Sequence, residues 1–198
     1  MAGFPWHQLE ENLRLMLRAG YKVTVAEQEE ELREGAKLLE RVVTRIYTPG
    51  SLYEESLIGS DASALLCSLL IENDTAAISM IDASTGHAWA VAFSGDGKWA
   101  SVYDEIMRWN PSELILTPQD AERSEFLNLL SMVDSIVVSQ HSVQPKRAHQ
   151  RLRAMLEVND LGHIDLGQSP EALQATALAA DYLASVHRHD EIAIRDVE

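Results

Sequence analysis

Cys67 is the only cysteine in the sequence, so no disulfide can form within the chain. A thiol-poor chain of this kind suits a reducing cytosol. Basic residues are scarce as well: 16 Lys plus Arg stand against 31 Asp plus Glu, a formal charge of −15 over 198 residues. Phosphate affinity comes from Lys and Arg neutralising the nucleic-acid backbone, so this balance argues against an autonomous nucleic-acid binder. The deficit is uneven, with 7 basic and 10 acidic residues in 1–60 (net −3) against 9 and 21 in 61–198 (net −12). If any part meets DNA, it is the first. Long apolar runs are also missing. A stretch such as Ala62–Ile71 reaches about ten residues where a bilayer needs about 20, and Met1–Leu17 lacks the basic and apolar regions of a secretory signal. No G-x-x-x-x-G-K-[ST], G-x-G-x-x-G, paired C-x-x-C or G-x-S-x-G is present, which excludes a familiar nucleotide loop and an obvious nucleophile. What remains is a 46% apolar chain, long enough for one large or two small domains with real cores.

Hydrophobic spacing predicts a helix over His7–Ala19, from Leu9, Leu13, Met16 and Leu17, with Gly20 at its left-handed end. Strands are predicted at Tyr21–Ala26 and Arg41–Thr48, the second stopped by Pro49-Gly50, with a charged connection at Glu29–Gly35. A helix and two strands cannot close a sheet, so the chain is expected to enter a domain partway through. From Ala62 three runs follow, Ala62–Glu72, Thr75–Asp82 and His87–Phe93, joined by Asn73-Asp74 and by Ala83–Gly86: an antiparallel meander. Helix Lys98–Trp109, strand Glu113–Thr117, helix Asp120–Leu130, strand Val133–Ser139 and helix Pro145–Leu156 complete the order β-β-β-α-β-α-β-α. Three antiparallel strands followed by strands reached through helical crossovers describe an α/β mixed sheet of the ribonuclease H-like kind. Ser169 caps a last helix that starts at Pro170 and runs to about His187. Its wide apolar surface expects further helices, which again suggests a piece of something longer.

Few residues carry obvious chemistry. Asp82-Ala83-Ser84-Thr85-Gly86 is either a hairpin turn or the start of a two-metal nuclease site, with Asp104, Glu105 and Asp134 as companions. His187–Glu191 has metal-ligand residue types but reads as a solvated helix end, and Cys67 as a buried small hydrophobe. Trp89, Trp99 and Trp109 fall at core-facing spacing. Lys146–Arg153 is the one concentrated basic stretch in the acidic part, either a solvated face or a contact for phosphate or an acidic protein.

The first fifty residues go further. Gly3-Phe4-Pro5-Trp6-His7, Glu27-Gln28 after a strand, and Arg41-Val42-Val43-Thr44-Arg45-Ile46-Tyr47-Thr48-Pro49-Gly50-Ser51 closely resemble the G-x-P-x-H, Glu-Gln and R-x-V-x-R-I-x-T-P-G-T segments of the MutS family of DNA mismatch-repair proteins. Ile81–Gly86 is similar to that family's D-x-S-T-G hairpin, and Asn110-Pro111-Ser112-Glu113-Leu114 to its N-P-x-E-L/I segment. Two departures stand out: Glu29–Lys37 replaces an acidic loop with Asp-Pro, and Ser51 stands for the usual Thr.

The resemblance implies three parts: 1–52 as the C-terminal part of the mismatch-recognition domain, 53–165 as the ribonuclease H-like connector domain, and 166–198 as the start of the core or lever helices. It implies a scaffold that relays mismatch recognition to an ATPase and to MutL, in a homodimeric, cytoplasmic, nucleoid-associated parent with no membrane role. The Phe-x-Glu wedge on the mispaired base is expected before Met1, and the site for ATP and Mg beyond Glu198, so this chain is expected to hold no catalytic centre and no cofactor. DNA-proximal positions would be Gly3, His7, Arg41 and Arg45. The partner-binding face would be Arg147, His149, Gln150 and Arg151, turned to solvent on a helix whose Leu152, Met155 and Leu156 face the sheet. The alternative is a divalent-metal ribonuclease H-like nuclease using Asp82.

Overall fold

A computed structural model of the chain describes residues 3, 5–28, 41–54, 57, 64–133, 136–162, 169–187 and 192–197. A 3-10 turn at Trp6–Gln8 leads into α1 (Leu9–Arg18), and Gly20 follows with φ of 81°. There an L side chain would be strained, and a Cβ would sit 3.1 Å from Val137 Cγ2. Strands β1 (Val23–Gln28) and β2 (Arg41–Tyr47) pair antiparallel, with a bulge between Val25 and Ala26. The predicted connection at 29–35 lies outside the described residues. Leu13, Leu17, Tyr47, Leu52, Leu57 and Ala64 form the small core of this module.

The second module is a six-stranded mixed sheet. β3 (Leu65–Glu72), β4 (Thr75–Asp82) and β5 (His87–Ser94) make the antiparallel meander; β6 (Glu113–Leu116) and β7 (Val137–Gln140) add in parallel on the far side of β3. The order across the sheet is β7-β6-β3-β4-β5-β8, where β8 (Asp196–Val197) is a two-residue parallel addition to β5. Helix α2 (Lys98–Trp109) connects β5 to β6. The expected single helix at 120–130 is instead two, α3 (Pro118–Ala121) and α4 (Ser124–Leu130). Thr117 caps the first by accepting from Asp120 N (3.1 Å), and Arg123 adopts an extended backbone while its Nε bonds Asp120 Oδ1 (3.0 Å), so the first turn cannot run on. Then come α5 (Pro145–Met155) and α6 (Pro170–Val186).

Each face of the sheet carries its own core. Cys67, Leu69, Ile78 and Met80 meet Val102 and Ile106 of α2 and Phe126 and Leu129 of α4 on one side. Leu66, Ile81 and Ile115 meet α5 and α6 on the other.

Helix α6 corrects the sequence reading. Its apolar surface lies against the sheet, with most of the residues between Ala172 and Val186 buried, Ser68 Oγ donating to Ala175 O (2.6 Å) and Thr176 Oγ1 to Ser79 Oγ (3.1 Å). Its alanines permit that close approach. The helix assigned to a separate part from residue 166 is therefore a cover of the sheet itself.

Candidate functional site at the junction of two modules

Glu113 begins β6 with no exposed surface. Burying a carboxyl group is costly unless its oxygens are bonded, and four groups supply that here. Gly50 N–H donates to Oε2 (3.1 Å), Tyr182 OH to Oε1 (2.6 Å), Ser139 Oγ also to Oε1, and Lys22 Nζ lies 3.4 Å from Oε1. Two of the four, Lys22 and Gly50, belong to the N-terminal module; the others belong to β7 and α6. One carboxyl group thus ties β1–β2 to the sheet and its covering helix. Burial, then the adjacent Glu113, push the Tyr182 phenol up, which keeps its proton available for donation. Lys22 Nζ also stands 5.6 Å from the centre of the Tyr182 ring.

Gly50 is at this junction because nothing larger fits. A Cβ there would lie 2.7 Å from Glu113 Cβ and 3.0 Å from Leu66 Cδ1. Thr48 and Ser51 close the turn around it, Thr48 Oγ1 donating to Ser51 Oγ at 2.7 Å. Ser51, the residue that departs from the usual Thr, still supplies this hydroxyl. His187 then locks the turn to α6: its Nε2 donates to Ser51 O (2.7 Å), and its ring meets Tyr53 edge-on at 5.1 Å. His187 is buried, not the solvated helix end expected; 188–191 lie outside the described residues.

A second charged cluster sits behind the first. Asp181, fully buried in α6, accepts from His141 Nε2 (2.8 Å), from Arg147 Nε and Nη2 (3.2 and 3.1 Å), and pairs with Arg151 Nη1 (2.9 Å). Burial raises the Asp181 pKa, but the hydrogen bonds from Arg147 and His141 and the charge of Arg151 outweigh it and hold the carboxyl below its ordinary value. Arg151 Nη1 also donates to Asp181 O at 2.9 Å. This revises the expected free basic face. Leu152 and Met155 face inward, Arg147 and Gln150 are exposed, and His149 and Arg151 are half-buried, but both arginines are bonded to Asp181.

The other sequence-selected residues fall apart in space or take structural parts. Gly3 and His7 are exposed at the start of the chain, His7 edge-on to Trp6 at 6.3 Å. Arg41 is exposed at the far end of β2, and Arg45 bonds Tyr47 OH (3.1 Å) and Glu54 (3.0 Å), contacts that raise its pKa. Asp82 is a turn acceptor: Oδ1 takes Ser84 N–H (2.9 Å), Ser84 Oγ (2.6 Å) and Thr85 N–H (3.3 Å). Partial burial opposes its ionisation, but those bonds prevail and lower its pKa. Glu105 accepts from Trp109 Nε1 (2.8 Å) and Arg108, Asp104 points to solvent, and Asp134 lies outside the described residues. Among the described residues no three His, Cys, Asp or Glu side chains gather as a metal would need. Among the described residues Asp82, Asp104 and Glu105 form no such cluster, and the Asp82 carboxylate is taken up by the hairpin that ends β4.

Sequence reasoning passed over both carboxyl groups that organise the junction. Glu113 was quoted only as part of a motif. Asp181 had a signal: a lone acid in the Ala-rich run Ala179-Ala180-Asp181-Tyr182 cannot be buried unpaired.

Two relationships bear on what this junction joins. The family model for MutS domain I matches residues 1–56 and that for MutS domain II matches residues 63–194, so the break between them falls between the Gly50 turn and β3. A DNA mismatch repair protein MutS from Syntrophomonas wolfei is 28% identical over 95% of this chain and 22% of its own length. One from Acaryochloris marina is 28% identical over 98% of this chain and 23% of its own, and one from Caldanaerobacter subterraneus is 30% identical over 65% and 15%. The chain spans about a fifth of the length of these curated relatives. With two consecutive domain models covering the two modules that Glu113 ties together, the chain belongs to the MutS family.

Proposed function

We propose that this segment scaffolds mismatch recognition and relays its consequence, through the Glu113 junction, from the recognition module toward an ATPase and MutL in a dimeric parent. The observation that carries this reading is the shared carboxyl group: Lys22 and Gly50 from one module and Ser139 and Tyr182 from the other bond the same two oxygens. Any rotation of β1–β2 against the sheet must break at least one bond to a buried acceptor. A contact so arranged has two discrete arrangements, made and broken, which a relay requires. The boundaries 1–52, 53–165 and 166–198 belong to this proposal, with the amendment that α6 moves with the sheet.

DNA contacts are proposed to fall to Gly3, His7, Arg41 and Arg45, in the part of the chain where the net charge is least negative. MutL is proposed to dock on α5 through Arg147, His149, Gln150 and Arg151, of which Arg147 and Gln150 are exposed and both arginines are held by Asp181. A pinned basic face steers an acidic partner and fixes its orientation. ATP and Mg²⁺ are proposed to be bound by the parent protein and not by this segment, whose sequence carries no glycine-rich phosphate loop.

The test is a titration of the isotope-labelled chain with mismatched duplex at low ionic strength, read by NMR. Shifts are expected at Arg41 and Arg45 and, through the junction, at Ser139 and Tyr182. In Glu113→Gln the first pair should persist and the second vanish. Equal shifts at all four positions in both proteins would sink the relay.

A further inference from the structure

Asp181 and Tyr182 are consecutive residues of α6, and each belongs to a different buried carboxyl site. Tyr182 OH donates to Glu113 Oε1 (2.6 Å), while Asp181 accepts from His141, Arg147 and Arg151. Strand β7 serves both sites as well. Ser139, inside the strand, donates to Glu113, and His141, one residue past its end, holds Asp181 through Nε2 (2.8 Å). The His141 ring also meets the Tyr182 ring edge-on at 5.4 Å. These contacts close a ring: from Ser139 to Glu113, to Tyr182, along one peptide to Asp181, across to His141, and back along β7.

Burial makes the ring stiff. The Glu113 and Asp181 side chains have no exposed surface, so a bond lost to either is not replaced by water. Neither α6 nor β7 can slide past the other without breaking bonds to both acceptors. The ring is held from two directions: Lys22 and Gly50 reach Glu113 from the N-terminal module, and Arg147 and Arg151 reach Asp181 from α5. Lys22 and Arg147 are 41% and 48% exposed at the side chain, so each is open to a partner while the carboxylate it holds is not.

We infer that this ring couples α5 to the N-terminal module in both directions: a carboxylate-bearing partner that draws Arg147 off Asp181 loosens the hold of Glu113 on Lys22 and Gly50, and displacing Lys22 loosens Arg147. Two discrete states, ring closed and ring opened, are what such coupling needs. The inference rests on the reading of Glu113 as the tie between the modules, and adds to it the route by which an event on α5 reaches that tie.

The test is hydrogen exchange on the 198-residue chain, with Arg147→Ala standing in for a partner's withdrawal of that side chain. The amides of β1 and β2 should exchange about tenfold faster relative to those of β4, although Arg147 bonds to neither strand. Linkage makes the effect reciprocal, so Lys22→Met should speed exchange of the Arg147 Nε–H, which is bonded to Asp181, by a similar factor. In Tyr182→Phe or His141→Ala, each of which opens the ring, adding Arg147→Ala should change β1 and β2 no further; if one of these backgrounds does not fold, the other decides. Unchanged β1 and β2 in Arg147→Ala, or equal acceleration in β4, would overturn the coupling. So would full additivity in the opened backgrounds, since His187, which also joins α6 to Ser51 O, would then carry the effect. Glu113→Gln separates the two readings. Acceleration of β1 and β2 there but not in Arg147→Ala removes the ring alone, and acceleration in neither removes the tie between the modules as well.

Discussion

The backbone N–H of Gly50 donates to Glu113 Oε2 at 3.1 Å across 63 positions of sequence. The glycine's lack of a side chain and the carboxyl group's burial explain each other. A side chain at 50 would occupy the space of the Glu113 stem, and without Gly50 N–H the Oε2 atom would lose the donor that offsets its desolvation.

Gly50→Ala should therefore be severe. Its new methyl would press on Glu113 Cβ and Leu66, and overpacking of this kind typically costs about 1–3 kcal/mol. Glu113→Gln keeps the shape but sets an amide against Gly50 N–H or the hydroxyls, with an expected loss of about 1–3 kcal/mol for an unsatisfied buried group. Urea unfolding measures both. Losses within about 0.5 kcal/mol, the range of an ordinary surface substitution, would contradict the geometry.

Much of the sheet was legible in the sequence, and the reason is local. Asn73, with φ of 51°, and the Asp82–Gly86 turn, with Gly86 at 78°, announce both hairpins of the meander, and Ser169-Pro170 announces the start of α6. The pairing of distant charges was not legible. Arg147 and Arg151 sit on α5 with helical spacing that reads as a solvated face, and only the arrival of α6 brings Asp181 to them. The extent of α6's apolar surface was right while its partner was wrong, since burial says that something covers a face without saying what.

Stability should depend on pH through Asp181. Its folded pKa is depressed, so its contribution is fully present above the ordinary carboxylate value of about 4 and is lost as pH falls through the lower folded value. Asp181→Asn should destabilise the chain at neutral pH and flatten this acid limb, as thermal unfolding across the acid range would show. Reversing Arg147 and Arg151 together should likewise destabilise the fold, because it sets two carboxylates against a buried third. An unchanged acid limb in Asp181→Asn would contradict the assignment.

Cys67 should serve as a silent reporter. It is fully buried in β3, and burial pushes its thiol pKa far up, so the reactive thiolate is doubly suppressed. A thiol reagent should label it only as the sheet opens, at a rate that rises with urea in step with unfolding. Rapid labelling in buffer would show that the meander is less tightly covered than α2, α4 and α6 make it.

Native-state hydrogen exchange on the chain and on Glu113→Ala tests the central claim most directly. If Glu113 couples the modules, the amides of β1 and β2 should lose protection in the variant by more than those of β3 and β4, breaking one cooperative unit into two. Equal loss across all four strands would make Glu113 a general stabiliser, and unchanged protection in β1 and β2 would contradict the coupling outright.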